Sequence, residues 1–253
     1  MISISQKKLI RALSQKKYRK TLGLFVIEGS KIVLEALKSG VDITQIYATG
    51  LFIANNGEFN LINNNNLAIC SVDEIKSITQ LITAPEIIAI CKKPVFELDL
   101  ESITSSQKLT FYLDNIQDPG NLGTIIRLCD WYGIENLLAS KDTTDVYGSK
   151  VVQASMASIF RVKVHYLDLI TTILPKHLHT YSTNANGGDS IHNLKVNLPT
   201  LVCIGNEGHG IREEVATLFQ KKISIPGNGN AESLNAAMAS AIIMDNLVRL
   251  GNL

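Results

Sequence analysis

The sequence predicts an α/β chain in two parts, the larger built on a mostly parallel sheet, and three observations carry that expectation. Short apolar runs of strand length alternate with helix-like stretches along most of the 253 residues. Composition shifts over residues 93–107, where a proline, several acids and a serine cluster read as a linker. Near the end, two strand-like runs, Pro199–Ile204 and Lys222–Pro226, each lead into a glycine-rich loop, Gly205–Gly210 and Gly227–Asn230. Such loops let a ligand approach bare backbone, and in open α/β sheets ligands bind beyond the carboxyl ends of strands.

The elements follow in order. Residues 3–20 read as one basic helix, with Ile4, Lys8, Arg11 and Gln15 near one stripe and Leu9 and Leu13 near another. Strands are expected at Phe25–Glu28, Ile43–Ala48, Leu67–Cys70 and Ile87–Cys91, with helices at Lys31–Lys38 and Val72–Thr79. Residues 55–66, rich in asparagine, read as a surface loop without function. This gives a first α/β domain over 1–92, and a second over 108–253. In the second, strands are expected at Leu109–Leu113, Asn136–Ala139, Phe160–His165 and Leu178–Ser182. Helices are expected at 121–131 (capped by Asn121), 148–156 and 168–174, and from Ser233 to Leu250, capped by Ser233 or Glu232.

Apolar residues make up 45% of the chain and charged ones 19%, an ordinary globular balance. No apolar run reaches the length of a membrane span, and Met1–Lys8 lacks the apolar stretch of a secretory signal. A cytoplasmic protein is expected. Cys70, Cys91, Cys129 and Cys203 lack metal-ligand spacing and read as buried thiols; His177 and His179 have no accompanying ligand. Net charge is +1, but Lys7, Lys8, Arg11, Lys16, Lys17, Arg19 and Lys20 precede the first acid, Glu28. Such a block suits phosphates, and equally suits a solvated helix face.

Three constellations carry chemistry. Asp118-Pro119-Gly120-Asn121 turns the chain into a helix start, and Arg127 projects about 9 Å further along its axis. Its guanidinium suits a phosphate or a hydroxyl. Gly205-Asn206-Glu207-Gly208-His209-Gly210 places an amide and a carboxylate at a strand end. Ile225-Pro226 followed by Ser233-Leu234-Asn235 opens the last helix. Taken singly each has a bland reading, as a cap, a turn or a plain helix start; together they open on one rim. Walker-type, dinucleotide-fingerprint and nucleophile-elbow sequences are absent, which removes the main support for kinase, dehydrogenase and hydrolase readings.

At these three segments the chain resembles the SpoU (TrmH-like) family of RNA ribose 2′-O-methyltransferases, in the SPOUT superfamily. The motifs match in order: Asn121–Arg127, Ile204–Gly208, then Ile225-Pro226 with Ser233–Asn235. Ala154–Arg161 resembles the family's intervening link, with Ala157 where glycine is expected. Residues 5–90, through Phe25–Gly29 and Glu35–Leu37, are similar to the family's ribosomal-protein-like substrate-binding domain. The resemblance implies a C-terminal trefoil knot, a homodimer, and S-adenosylmethionine held by Ile204, Gly205, Asn206, Gly208, Ile225, Pro226 and Leu234. It implies Arg127 at the ribose 2′-hydroxyl, with Asn121, Glu207, Ser233 and Asn235 shaping the pocket. The basic block would meet the RNA, expected to be ribosomal. A transfer-RNA methyltransferase, a non-catalytic RNA-binding protein and a small-molecule methyltransferase are the alternatives.

Overall fold

The computed structural model describes residues 2–57, 66–106, 108–185 and 187–251. Most of the expected asparagine-rich loop lies outside them. By contact the chain divides into two compact units: Met1–Val95 with Asp145–Phe160, and Phe96–Thr144 with Arg161–Leu253.

The first unit holds a four-stranded sheet. Its strands are β1 (Leu24–Glu28), β2 (Ile43–Thr49), β3 (Leu67–Cys70) and β4 (Ile87–Lys92), in the order β1-β4-β2-β3. Only β2–β3 is parallel. Helices α1 (Ile4–Ala12), α2 (Lys16–Leu22), α3 (Ser30–Lys38), α4 (Gly50–Asn55) and α5 (Val72–Lys76) accompany it. Ile10, Leu13, Val26, Tyr47, Ile75 and Ile88 share its core.

The single basic helix expected over 3–20 is instead two. Ser3 opens α1 through a capping box with Gln6. After Ala12 the Ser14 hydroxyl donates to the Arg11 carbonyl at 2.7 Å, and Gln15 is extended. Serine competing for its own backbone ends the helix there. The break turns Leu13 into the core, where it is 1% exposed.

The second unit holds a seven-stranded sheet with every pairing parallel. Its strands are β5 (Leu109–Leu113), β6 (Asn136–Ser140), β7 (Lys163–Leu167), β8 (His179–Thr183), β9 (Asp189–Ser190), β10 (Thr200–Ile204) and β11 (Lys221–Ser224). The order is β7-β6-β5-β10-β8-β11-β9. Every residue of β5 and β10 is buried, which explains their predominantly apolar sequences. Tyr112, Leu138, Leu201, Cys203, Val215 and Phe219 form the core on one face.

Helix α6 (Leu100–Ser106) occupies the segment read as a linker; Ile103 and Thr104 are buried. Helix α7 (Pro119–Trp131) starts two residues earlier than expected, because Asp118 rather than Asn121 caps it. Helix α8 (Ser149–Ser155) belongs to the first unit, where the Gln153 amide donates to the Glu28 carbonyl at 2.9 Å. Past it, Met156 and Ala157 have φ of 50° and 77°. Ala157 thus adopts the left-handed backbone for which glycine is favoured. The helix expected at 168–174 is a short 3-10 turn, Leu169–Thr171. A short helix, α9 (Glu213–Ala216), leads to β11, and α10 (Ala236–Leu250) packs on α7. No helix among the described residues is long and apolar enough to cross a membrane.

Candidate active site

Three chain bends of the second unit converge on one set of side chains. Asp118 accepts the Asn121 backbone N–H at 2.8 Å, which frees the Asn121 side chain from capping. That side chain then reaches both ways. Its Nδ2 donates to the Glu207 carboxylate, and its Oδ1 accepts from Asn235 Nδ2 at 2.9 Å. Asn235 is itself the cap of α10, its Oδ1 accepting from the backbone of Ala237 at 3.0 Å and Met238 at 3.3 Å. The cap expected at Ser233 or Glu232 therefore lies at Asn235. An amide serves best here: its oxygen holds the helix while its nitrogen remains free to donate.

The loop after β10 is rigid for two reasons. A Cβ on Gly205 would come within 2.4 Å of the Gly210 carbonyl carbon, so no larger residue fits. Asn206 also pairs with Gly210 through both backbone groups. The Asn206 side chain accepts the Gly208 N–H at 2.9 Å and donates to the Asn115 carbonyl at 2.9 Å. Glu207 is thereby fixed between two anchored neighbours. His209 is exposed; its backbone N–H donates to the Asn206 side chain at 3.1 Å, and its ring approaches the same oxygen at 3.4 Å.

Below this loop sits a pair that the motifs do not reveal. Asp114, wholly buried at the end of β5, accepts the Arg212 backbone N–H at 2.9 Å and its guanidinium at 2.6 and 3.0 Å. That bonding raises the Arg212 pKa above its ordinary value. Asp114, adjoining Asn115, ties both ends of the loop to the sheet. An acid immediately after a largely apolar strand is the signal in the sequence that points to it.

Arg127 lies on α7, exposed, and its side chain forms no hydrogen bond or ion pair with a described residue. Ser233 is likewise exposed and unbonded among the described residues. The structure thus joins Asn121, Glu207 and Asn235, and leaves Arg127 and Ser233 unengaged. Residues 227–234 make no hydrogen bond among the described residues, and Leu234 is 47% exposed. Ile204 is buried, whereas Gly205, Asn206 and Ile225 are half-buried and Gly208 and Pro226 exposed.

In the basic segment, Lys8, Arg11, Lys16, Lys17 and Lys20 are exposed and Lys7 is half-buried. Arg19 departs from the expected RNA-binding set. It is 5% exposed, paired with Asp145 at 2.8 Å, and donates to the carbonyls of Leu13 and Ser14. Its donors are spent on the α1–α2 break. Among the described residues no cluster of histidine, cysteine and acidic side chains suits a metal, and the four cysteines are buried and free.

Comparison with known proteins agrees with this geometry. Residues 108–245 match the SpoU rRNA Methylase family, and residues 5–89 match the MRM3-like substrate binding domain. The 23S rRNA (guanosine(2553)-2′-O)-methyltransferase RlmP of Bacillus subtilis is 28% identical, over 94% of this chain and 93% of its own. A 23S rRNA (uridine(2479)-2′-O)-methyltransferase of Streptomyces viridochromogenes is 30% identical over 65% of this chain and 60% of its own. The solved structure of an AdoMet-bound rRNA methyltransferase from Sinorhizobium meliloti superposes with a TM-score of 0.82 at 25% identity. It covers 98% of this chain and 97% of that one. With more than half its length matched by one family model, and the motif side chains of that part joined in one network, the chain belongs to the SpoU rRNA Methylase family.

Proposed function

We propose that this chain transfers a methyl group from S-adenosylmethionine to a ribose 2′-hydroxyl of ribosomal RNA. The observation that carries the reading is the Glu207–Asn121–Asn235 network, which ties three separate motif loops into one polar rim. The named relatives act on 23S rRNA 2′-oxygens, and the Sinorhizobium structure holds AdoMet.

The residues suit that donor. The ends of β10 and β11 offer half-buried backbone at Gly205, Asn206 and Ile225, the 227–234 backbone is open, and Leu234 presents an apolar side chain. S-adenosylmethionine, when bound, supplies a methyl group on a sulfonium centre whose leaving group is a neutral thioether. The chain therefore needs mainly to position the ribose oxygen and help it lose a proton. Arg127, through its guanidinium, holds the adjacent phosphate and orients the 2′-hydroxyl, with proton loss assisted by the substrate. Asn121, Glu207, Asn235 and Ser233 frame the ribose. The preset amide–carboxylate bonds keep that frame in place before substrate arrives.

Three finer readings accompany it. A trefoil knot is supported by β10 lying between β5 and β8 while β11 lies beyond β8. A homodimer is supported by apolar surface on the α7–α10 pair, where Trp131 is 82% and Met238 59% exposed. A division into 1–92, a 93–107 connector and 108–253 is supported by the two family matches. The exposed lysines of α1 and α2 meet the RNA backbone, in the cytoplasm where ribosomal RNA is modified.

Incubating the purified chain with isotopically labelled S-adenosylmethionine and unmodified 23S rRNA, then mapping 2′-O-methyl positions, tests the reading. One labelled ribose is expected. Absence of transfer to ribosomal RNA, with transfer RNA labelled instead or neither labelled, overturns it.

A further inference from the structure

A cationic cluster lies in the first unit outside the motif residues. The Lys93 backbone N–H donates to the Gly23 carbonyl at 2.7 Å, which sets Lys93 against the C-terminal end of α2. Its ammonium lies 4.9 Å from the centroid of the Tyr147 ring. The ring is fixed from another side by Phe25, with centroids 4.6 Å apart. Lys93 feels the positive charges of Arg19, Lys16 and Lys20, and only one negative charge, Asp145, offsets them. That carboxylate is already taken by Arg19 at 2.8 Å. Lys92 next to it is matched by Asp42 at 2.8 Å. Among the described residues, three lysines of the cluster, Lys16, Lys20 and Lys93, are therefore left without an anion of their own. Partial burial and this crowding both push the Lys93 pKa down.

We propose that Lys93, Lys16 and Lys20, with Tyr147 as an aromatic floor, form a phosphate-contacting subsite for the RNA substrate. This rests on the RNA methyltransferase reading above and adds Lys93 and Tyr147 to its binding surface. A phosphodiester is the chemistry that fits: it supplies the missing negative charge to three ammonium groups at once. Lys93 is held in place by the ring beneath it, so little side-chain freedom is lost on binding. Lys8 and Lys17 are exposed and have no such support among the described residues.

Filter binding of a transcribed 23S rRNA to the full chain, from about 50 to 200 mM salt, tests the subsite. Lys93→Gln is expected to weaken binding about threefold at the low-salt end and to lower the salt slope by about 0.7–0.9, the release of one counterion. Lys93→Arg, which keeps the charge and stacks on Tyr147, is expected to restore both. Thermal melting checks that the variants fold, and wild-type methyl transfer is scored on the same RNA. If the wild type methylates and Lys93→Gln binds with unchanged slope, the subsite is overturned and the functional reading stands. If the slope falls with Lys93 but the wild type transfers no methyl, the subsite stands and the reading falls. A wild type that binds this RNA no better at 50 than at 200 mM salt overturns the subsite outright.

Discussion

The strand-end loops of the second unit and the basic segment of the first both stand out in the sequence as clusters of polar residues, yet they fold in opposite ways. In the loops, Asn121, Glu207 and Asn235 bond to one another across long stretches of chain. In the basic segment, Lys8, Arg11, Lys16, Lys17 and Lys20 point outward, and the one residue with a dense set of partners, Arg19, points in. Chemistry needs groups fixed to within a fraction of an ångström, whereas backbone recognition needs only a field of positive charge. On the proposed reading, a preset network belongs to the first kind of site and an open field of charge to the second.

The contrast is broken most sharply at Arg127. Because it is exposed and unengaged among the described residues, Arg127→Ala is expected to leave the melting temperature unchanged. Loss of substrate orientation is expected to lower kcat/KM for methyl transfer by about 10²-fold or more. Replacing one surface lysine, such as Lys8→Gln, is expected to cost only about threefold, and only at low salt. Single-turnover methyl transfer on the same RNA compares the two, and equal losses would dissolve the distinction.

Arg212→Met comes next. It strands the buried Asp114 carboxylate, and loss of charged hydrogen bonds of this kind costs about 2–3 kcal/mol. Denaturant melts read the stability. If Asp114 and Arg212 position Glu207 through Asn115 and Asn206, kcat falls as well while KM changes little, and Arg212→Lys recovers stability more fully than rate. A kcat that holds while stability drops would confine the pair to folding.

Asn235 separates support from chemistry in one residue. Asn235→Asp keeps an oxygen to cap α10 but removes the donor to Asn121 and adds charge near Glu207. Stability within about 0.5 kcal/mol of wild type is expected, with kcat about tenfold lower. Asn235→Ala loses the cap too, at about 1 kcal/mol. Indistinguishable rates for the wild type and the aspartate variant would remove the Asn121 bond from the site's account.

What the sequence made legible divides along the same line. Most strands of both sheets followed from apolar runs, most plainly β5 and β10, whose every residue is buried, whereas the two polar residues of β9, Asp189 and Ser190, read as part of a loop. The three motif loops followed from glycine and from their place after strands. The α1–α2 break did not follow, because Ser14 reads as an ordinary surface residue until its hydroxyl is seen bonded to Arg11. Nor did the inward turn of Arg19, whose partner Asp145 lies far along the chain. The caps slipped for a related reason: Asp118 and Asn235 sit beside other residues of equal capping power, and tertiary bonds decide among them. Ala157, where glycine was expected, keeps a left-handed φ of 77°, so the backbone demand persists although the residue does not advertise it.

The smallest expected effect concerns the first unit's own locked carboxylate. Glu28 is 2% exposed, bonded by the Thr79 hydroxyl and by the Gln80 N–H at 3.1 Å. Burial raises its pKa above the ordinary 4.5, more than these bonds lower it. The folded chain therefore holds this proton more tightly than the unfolded chain. The resulting stabilisation is full below the unfolded value and is lost as pH rises through the folded one. Relative to Glu28→Gln, the wild type is expected to lose stability across that interval and to run parallel above it. Denaturant melts from pH 4 upward measure the difference. A wild type that instead gains on the glutamine variant with rising pH would mean that the Thr79 and Gln80 bonds outweigh burial. In that case the first unit contains a second charge its fold has preset, beside the buried Arg19–Asp145 pair.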